Sequence, residues 1–421
     1  MSNQQKQWGA IVVMIALFAM IAFVTNLCTP MATIIKNQGE ISNVLAQIGN
    51  YGNFVAYLLM GIPAGMLISK FGYKKTALIG LVVGIIGILI QWFSGQLDAK
   101  ENLGLVFGVY LAGAFIAGLC MCILNCVVNP MLNILGGGGN KGNQLIQLGG
   151  VFNSTAAVAC YILMGALIAD ATKAKIDDAT PALMIALAIF VVAFVVICFT
   201  KIEEPEQAPV QVELIKEAMS YRHFALGALA IFLYMGIEVG VPNFVNLYLI
   251  ETGIPAGTVG MLVAVYWFMM LIGRLVGASI GGKVSSRVMI TTVSITTLVL
   301  VLFGMFAPTN ITVNFPGVDW GKLELIWQEV PLGIFAFLLV GLCTSVMWGG
   351  IFNMAVEGLG KYTAIASGIF MTMVFGCAVM MFIQASVADA TDYITSFWVV
   401  VFCAAYILFY ALIGSRVNKR A

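Results

Sequence analysis

The chain is laid out as about twelve apolar runs, each long enough to cross a bilayer as a helix, with its charges gathered in the gaps between them. No water-soluble core absorbs that pattern. The residues AVILMFWYC make up 61% of the 421 and the charged residues 9%, and a mean hydropathy of +1.01 would leave a soluble fold with an apolar surface facing water. In hydrocarbon every backbone N–H and C=O must be paired within its own segment, so runs of about 20 apolar residues are read as helices. Spans are expected at 9–35, 42–69, 76–94, 104–135, 143–169, 181–200, 223–249, 258–281, 287–307, 330–356, 362–388 and 393–415. The first run has no short apolar core followed by a cleavage site, so it is expected to be retained as a span.

An even number of spans puts both termini on one side. That side then receives Lys6, Lys70, Lys74, Lys75, Lys141, Lys201, Lys216, Arg222, Arg274, Lys283, Arg287, Lys361, Arg416, Lys419 and Arg420, or fifteen of the twenty basic residues. The other side receives Lys36, Lys100, Lys173, Lys175 and Lys322. The asymmetry predicts cytoplasmic termini and a multi-pass protein of the cytoplasmic (inner) membrane. A net charge of +1 and the lack of a basic patch interleaved with aromatics argue against nucleic acid as a partner. The nine cysteines fall in the apolar spans and read as small buried hydrophobes. The single histidine, His223, stands at a span edge with no thiolate pair beside it, so no metal site is expected.

The longest polar interruption, 201–222 (KIEEPEQAPVQVELIKEAMSYR), divides the chain into an N-terminal six-helix half (1–200) and a C-terminal six-helix half (223–421). The end of this linker has amphipathic spacing and is expected to form a short surface helix. The halves repeat. Gly61-x-x-x-Gly65 in span 2 returns as Gly273-x-x-x-Gly277 in span 8, and Gly118-Leu119-Cys120 in span 4 returns as Gly341-Leu342-Cys343 in span 10. Gly150-x-Phe152 with Ala169-Asp170 in span 5 returns as Gly368-x-Phe370 with Ala388-Asp389 in span 11. The same order at similar separations predicts a duplicated unit: an all-α membrane protein of twelve transmembrane helices in two pseudo-symmetric halves, the organisation of the major facilitator fold.

Folds of this kind bind substrate near the bilayer midplane between the halves, so polar side chains deep in the spans are the site candidates. Glu238, in the middle of span 7, is the deepest carboxylate. A charge there costs about 2.5–3.5 kcal/mol on insertion scales, which points to a substrate contact or a titrating cation site. Pro242, four residues on, is expected to kink or open the helix as part of a gate, with Asn243 and Asn246 beyond it. Asn125, Asn129 and Asn133 lie at i, i+4 and i+8 on one stripe of span 4, and such amides both donate to and accept from hydroxyls. Asn26 and Thr29 in span 1, Asn50 and Asn53 in span 2, Gln147 and Asn153 in span 5, Asn353 in span 10 and Gln384 in span 11 extend the set, while Trp267 and Trp348 offer flat faces to a sugar ring. Interhelical hydrogen bonding and aromatic packing are the structural alternatives for each of these. The combination suits a neutral, polyhydroxylated ligand.

The run Gly118 to Gly136 (GLCMCILNCVVNPMLNILG), followed by Phe152-Asn153-Ser154, resembles the fucose:proton symporter and glucose/galactose transporter family of the major facilitator superfamily. Asn26-Leu27, Tyr234-x-Gly236-x-Glu238, Gly273-Arg274 and Glu357-Gly358-Leu359-Gly360 extend the resemblance over nearly the whole chain. It implies alternating access and proton- or sodium-driven import of hexoses or deoxyhexoses, with Asn26, Asn129 and Asn153 keeping family polar positions. It also implies carboxylates in the N-terminal half where this chain has Thr29 and Asn125, and a glutamine where it has Gly150. Glu238 is therefore expected to carry the cation coupling, unless the protein is an uncoupled facilitator. Residues 65–75 resemble the superfamily's loop between spans 2 and 3, with Ser69 in place of an aspartate. Lys74, Lys75 and Arg274 are accordingly expected to act in gating. No catalytic constellation and no cofactor are expected beyond the co-transported proton or sodium ion, and the working unit is expected to be a monomer in the lipid bilayer with a small-molecule sugar. A multidrug-type exporter and a non-transporting membrane sensor are the competing readings; the first calls for an aromatic pocket poor in amides, the second for a soluble output domain.

Overall fold

The computed structural model describes residues 8–39, 42–97, 102–135, 139–168, 174–202, 214–280, 284–319, 324–359 and 363–417. Among them, twelve helices are long and apolar enough to cross a membrane: Trp8–Lys36, Ile48–Ile68, Lys70–Gly95, Leu103–Leu132, Leu148–Leu167, Ile176–Phe199, Arg222–Glu251, Ala256–Gly277, Ser286–Phe306, Leu332–Val356, Gly368–Ala390 and Tyr393–Gly414. These are spans 1 to 12 below. The side on which the chain ends is the terminal face, and the opposite one the far face. Spans 2 and 3 are separated by Gly72, whose φ of 78° lets the chain reverse within a single residue. The expected linker helix is present as Leu214–Met219.

Burial sorts the spans. Only 28% of the apolar window of span 6 or span 9 is buried, against 72% for span 7, so spans 6 and 9 face lipid and span 7 runs through the centre. Spans 2 and 3 pack on 4, and 1 on 4 and 5; spans 7, 8 and 9 pack on 10, and 7 on 11 and 12. The halves meet where spans 5 and 8, 2 and 11, and 1 and 7 touch. The repeated glycines do equivalent work in the two halves. A Cβ on Gly118 would lie 2.1 Å from the carbonyl oxygen of Asn53 in span 2, and one on Gly341 would lie 2.1 Å from that of Tyr266 in span 8. Each lets span 4 or span 10 cross its neighbour backbone to backbone.

Two features depart from the expectations. The polar connection between spans 9 and 10, for which no regular structure was expected, is an antiparallel hairpin, β1 (Thr312–Asp319) paired with β2 (Glu324–Pro331), outside the all-α bundle. Pro316 fits because both strands of a two-stranded sheet are edges, where a missing N–H costs little. The hairpin rests on the start of span 8, with Gly317 against Thr258. The second departure concerns helix breaks. Span 7 runs unbroken from Arg222 to Glu251 through Pro242, so the expected opening is not there. Span 11 is interrupted instead. Its helices Thr363–Met373 and Gly376–Ala390 are joined by a turn in which Val374, Phe375, Cys377 and Ala378 donate to carbonyls three residues back. The break coincides with a tertiary approach: Gly376 sits so close to the Phe232 carbonyl that a Cβ would fall 2.1 Å from its oxygen.

Candidate functional site

Glu238 occupies the middle of the most buried span and is partly accessible between the halves. Tyr234, one turn earlier, is its polar neighbour and Arg274 of span 8 its charged one. Tyr234 also approaches the Thr344 carbonyl at 3.4 Å, and the Tyr266 hydroxyl lies 3.1 Å from Thr344 Oγ1. Trp348 tilts over Tyr234 with ring centroids 6.2 Å apart. Spans 7, 8 and 10 thus gather a carboxylate, a guanidinium, two phenols and an indole around one point.

Arg274 also reaches across to the other half. From one nitrogen, Nη1, it donates to the Gly150 carbonyl, to Ser154 Oγ at 2.8 Å and, more distantly, toward Asn153 Oδ1 at 3.5 Å. Asn153 Nδ2 donates in turn to the Phe18 carbonyl of span 1 at 3.0 Å. One cation is therefore placed between a carboxylate of its own half and three oxygens of the other.

The N-terminal half supplies the amides. Asn125 Nδ2 donates to Tyr57 at 2.9 Å, and Asn129 Nδ2 donates to the Asn125 carbonyl at 3.1 Å. Both side chains are half-buried. Their Oδ1 atoms have no partner among the described residues, which leaves acceptors for hydroxyl donors. On the far side of Glu238 the interface is shut: Asn243 and Asn246 are buried, and Asn246 Nδ2 donates to Thr33 of span 1 at 2.8 Å.

Other candidates lie elsewhere. Asn26 is buried and bonds to the Ala22 carbonyl of its own helix. Asn50 bonds to Gln47 at the far end of span 2, and Asn53 lines a small cavity inside the N-terminal half with Cys28, Gln91 and Tyr110. Both serve packing within that half, because the stripe of span 2 that carries them faces spans 1, 3 and 4. Asn353 is exposed and stands five residues past Trp348, about 140° round the helix, so the two do not share a face. Trp267 is buried, stacked on Tyr161 of span 5 and edge-on to Tyr266, forming an aromatic seam between the halves rather than an open platform. Gln384 is buried against Ser396. Lys74 donates to the Cys198 and Thr200 carbonyls and so ties span 3 to span 6 of the same half. Lys75 is exposed. The side chains of Thr29, Ser69, Asn133 and Gln147 lie outside the described residues. His223 is buried, with Nε2 2.8 Å from the Glu357 carbonyl at the end of span 10, a helix-end contact.

The sequence reading missed a polar group at the far face. Lys36 ends span 1 and meets Glu251, the last residue of span 7, at 2.8 Å. Opposite charges at corresponding ends of repeat-related spans were the available signal.

Comparison with known proteins agrees with this architecture. The family model described as Major Facilitator Superfamily matches residues 11–383. A glucose/galactose transporter of Brucella abortus is 28% identical over 427 residues, covering 99% of this chain and 96% of its own. The L-fucose-proton symporter of Escherichia coli is 20% identical over 431 residues, covering 95% and 92%. Among solved structures, the E. coli fucose:proton symporter superposes with a TM-score of 0.69 at 19% identity, covering 98% of this chain and all of that one. A D-xylose-proton symporter gives 0.72 at 11% identity, covering 97% and 98%.

Proposed function

The chain belongs to the major facilitator superfamily, a family of membrane transporters rather than enzymes, and from that premise we propose that it carries a neutral hexose or deoxyhexose across the cytoplasmic membrane by alternating access, driven inward by a co-transported cation. The amide-lined interface carries the reading. The unpartnered Oδ1 atoms of Asn125 and Asn129 accept from sugar hydroxyls, and Trp348 covers one face of the ring. Their setting between two six-helix halves allows the same site to be offered to either side in turn. The full-length relatives named for glucose, galactose and fucose support the same substrate class.

Glu238 is the coupling residue, and Arg274 transmits its state. With Glu238 ionised, the carboxylate competes for the guanidinium. When a cation neutralises that carboxylate, Arg274 keeps its oxygen partners Gly150 and Ser154 in the opposite half and holds spans 5 and 8 together. The charge on one side chain is thereby linked to the contact between halves, with a proton or sodium ion as the switch. The excess of basic residues on the terminal face supports cytoplasmic termini.

The test is uptake into proteoliposomes of labelled glucose, galactose, mannose, fucose and N-acetylglucosamine under an imposed proton gradient, a sodium gradient or neither. Accumulation of one sugar with one gradient is expected. Equilibration without accumulation would replace coupling with facilitated diffusion, and no movement of any sugar would overturn the substrate class.

A further inference from the structure

The far-face group is more than one ion pair. Lys36 Nζ donates to Glu251 Oε2 at 2.8 Å and also to the Tyr393 hydroxyl, with the ammonium 5.0 Å from the Tyr393 ring centroid. The Tyr393 hydroxyl donates to Asn43 Oδ1 at 2.6 Å. Asp389, at the end of span 11, accepts from the backbone N–H groups of Asn43 and Val44 at 2.7 and 3.0 Å, so a carboxylate of one half caps the helical turn that leads into span 2 of the other. Every one of these bonds joins the N-terminal half to the C-terminal half.

We infer that Lys36, Asn43, Glu251, Asp389 and Tyr393 form the far-side gate, and that their release is the step by which the central site becomes accessible from the far face. Three observations converge on this. Lys36 and Glu251 end spans 1 and 7, which hold the same place in their respective halves; a rocking motion that opens the far face separates those two ends. Directly beneath the group lies a small cavity of about 30 Å³ lined by Thr33, Met164, Asn246 and Ile250 among others, between spans 1, 5, 7 and 8. The Lys36–Glu251 pair is also the one salt bridge among the described residues, placed where it bears on the contact between the halves rather than on either half alone. Its side chains are partly exposed, at 22% and 58%, so each tie is modest and its loss shifts a population by several-fold without destroying the fold.

The inference rests on alternating access but not on the identity of the substrate, and its test needs no sugar. In right-side-out vesicles, a cysteine introduced by Met164→Cys is exposed to a membrane-impermeant maleimide added from the far side. The same vesicles without that substitution give the background from the native cysteines. Lys36→Gln, Glu251→Gln and Asp389→Asn are each expected to raise the labelling rate of the reporter about fivefold or more. The charge swap Lys36→Glu with Glu251→Lys is expected to return it to within about twofold of the parent. Tyr393→Phe, which removes only a hydroxyl, covers the case in which a charge variant fails to insert, and should raise labelling about threefold. Labelling that stays at the parental rate in the neutralised variants, or a swap as open as the single variants, overturns the gate. Labelling that responds while no sugar moves leaves the gate standing and removes the transport reading.

Discussion

The two halves differ in the chemistry they carry on the spans that form the candidate site. Spans 4 and 5 present neutral amides, Asn125, Asn129 and Asn153, held by a phenol or by backbone carbonyls. Spans 7, 8 and 10 present a carboxylate, a guanidinium, two phenols and an indole. On the proposed reading the contrast teaches a division of labour, with hydrogen-bond readout concentrated in one half and charge in the other, and Arg274 bonding across between them. Duplication supplied the same scaffold twice, as the Gly118 and Gly341 crossings show, but the two copies are not interchangeable at the site.

The division can be broken from its charged side first. Glu238→Gln is expected to abolish gradient-driven accumulation, bringing the inside-to-outside ratio to about one, while exchange of internal for external sugar persists; full accumulation by that variant would place coupling elsewhere. Arg274→Ala removes charge-assisted bonds of about 1.5–3 kcal/mol each and should slow exchange by about tenfold or more, measured as the initial rate at saturating sugar. The amide half should respond more gently and in a different parameter. Asn125→Ala and Asn129→Ala each lose one neutral hydrogen bond of about 0.5–1.5 kcal/mol, so affinity by calorimetry should fall about three- to tenfold with the coupling ratio unchanged. The smallest effect belongs to Asn53→Ala. It lies inside one half, and sugar affinity should stay within about twofold even though a buried polar group has been removed from the small cavity near Gln91. A large affinity loss there would extend the site into the N-terminal bundle.

Much of the architecture was legible in the sequence because the solvent imposes it. Hydrocarbon forces helices, so the length and spacing of the apolar runs gave twelve spans, and repeated glycines marked the closest crossings. Site residues were legible by depth but not by direction. Glu238 stood out as a charge inside a span, whereas Arg274, counted with the terminal-side charges and expected in gating, proves to be its charged neighbour. Asn50 and Asn53 are as deep in sequence terms, yet only packing shows that their stripe of span 2 faces its own bundle. Trp348 and Asn353 share a span but not a face. The break in span 11 was missed for a related reason: Pro242 is a local signal in span 7, whereas the break at Val374–Phe375 lies beside a close approach to a carbonyl of another helix. The hairpin was missed because Pro316 and scattered charges in this polar connection weaken the alternation that would announce a strand.

Mechanically, span 11 is two short levers sharing a pin. Its far lever is clamped by Asp389 against the turn before span 2, and its other lever lies against the same span with Thr372 beside Gly61. The three-residue bonding of the joint has already given up part of the stiffness of an α-helix. A tilt of one lever can therefore be absorbed at the pin, close to the Phe232 carbonyl, without wrenching the clamp at the other end. Such a joint lets the two faces of the protein be worked one after the other instead of moving as a single rigid rod.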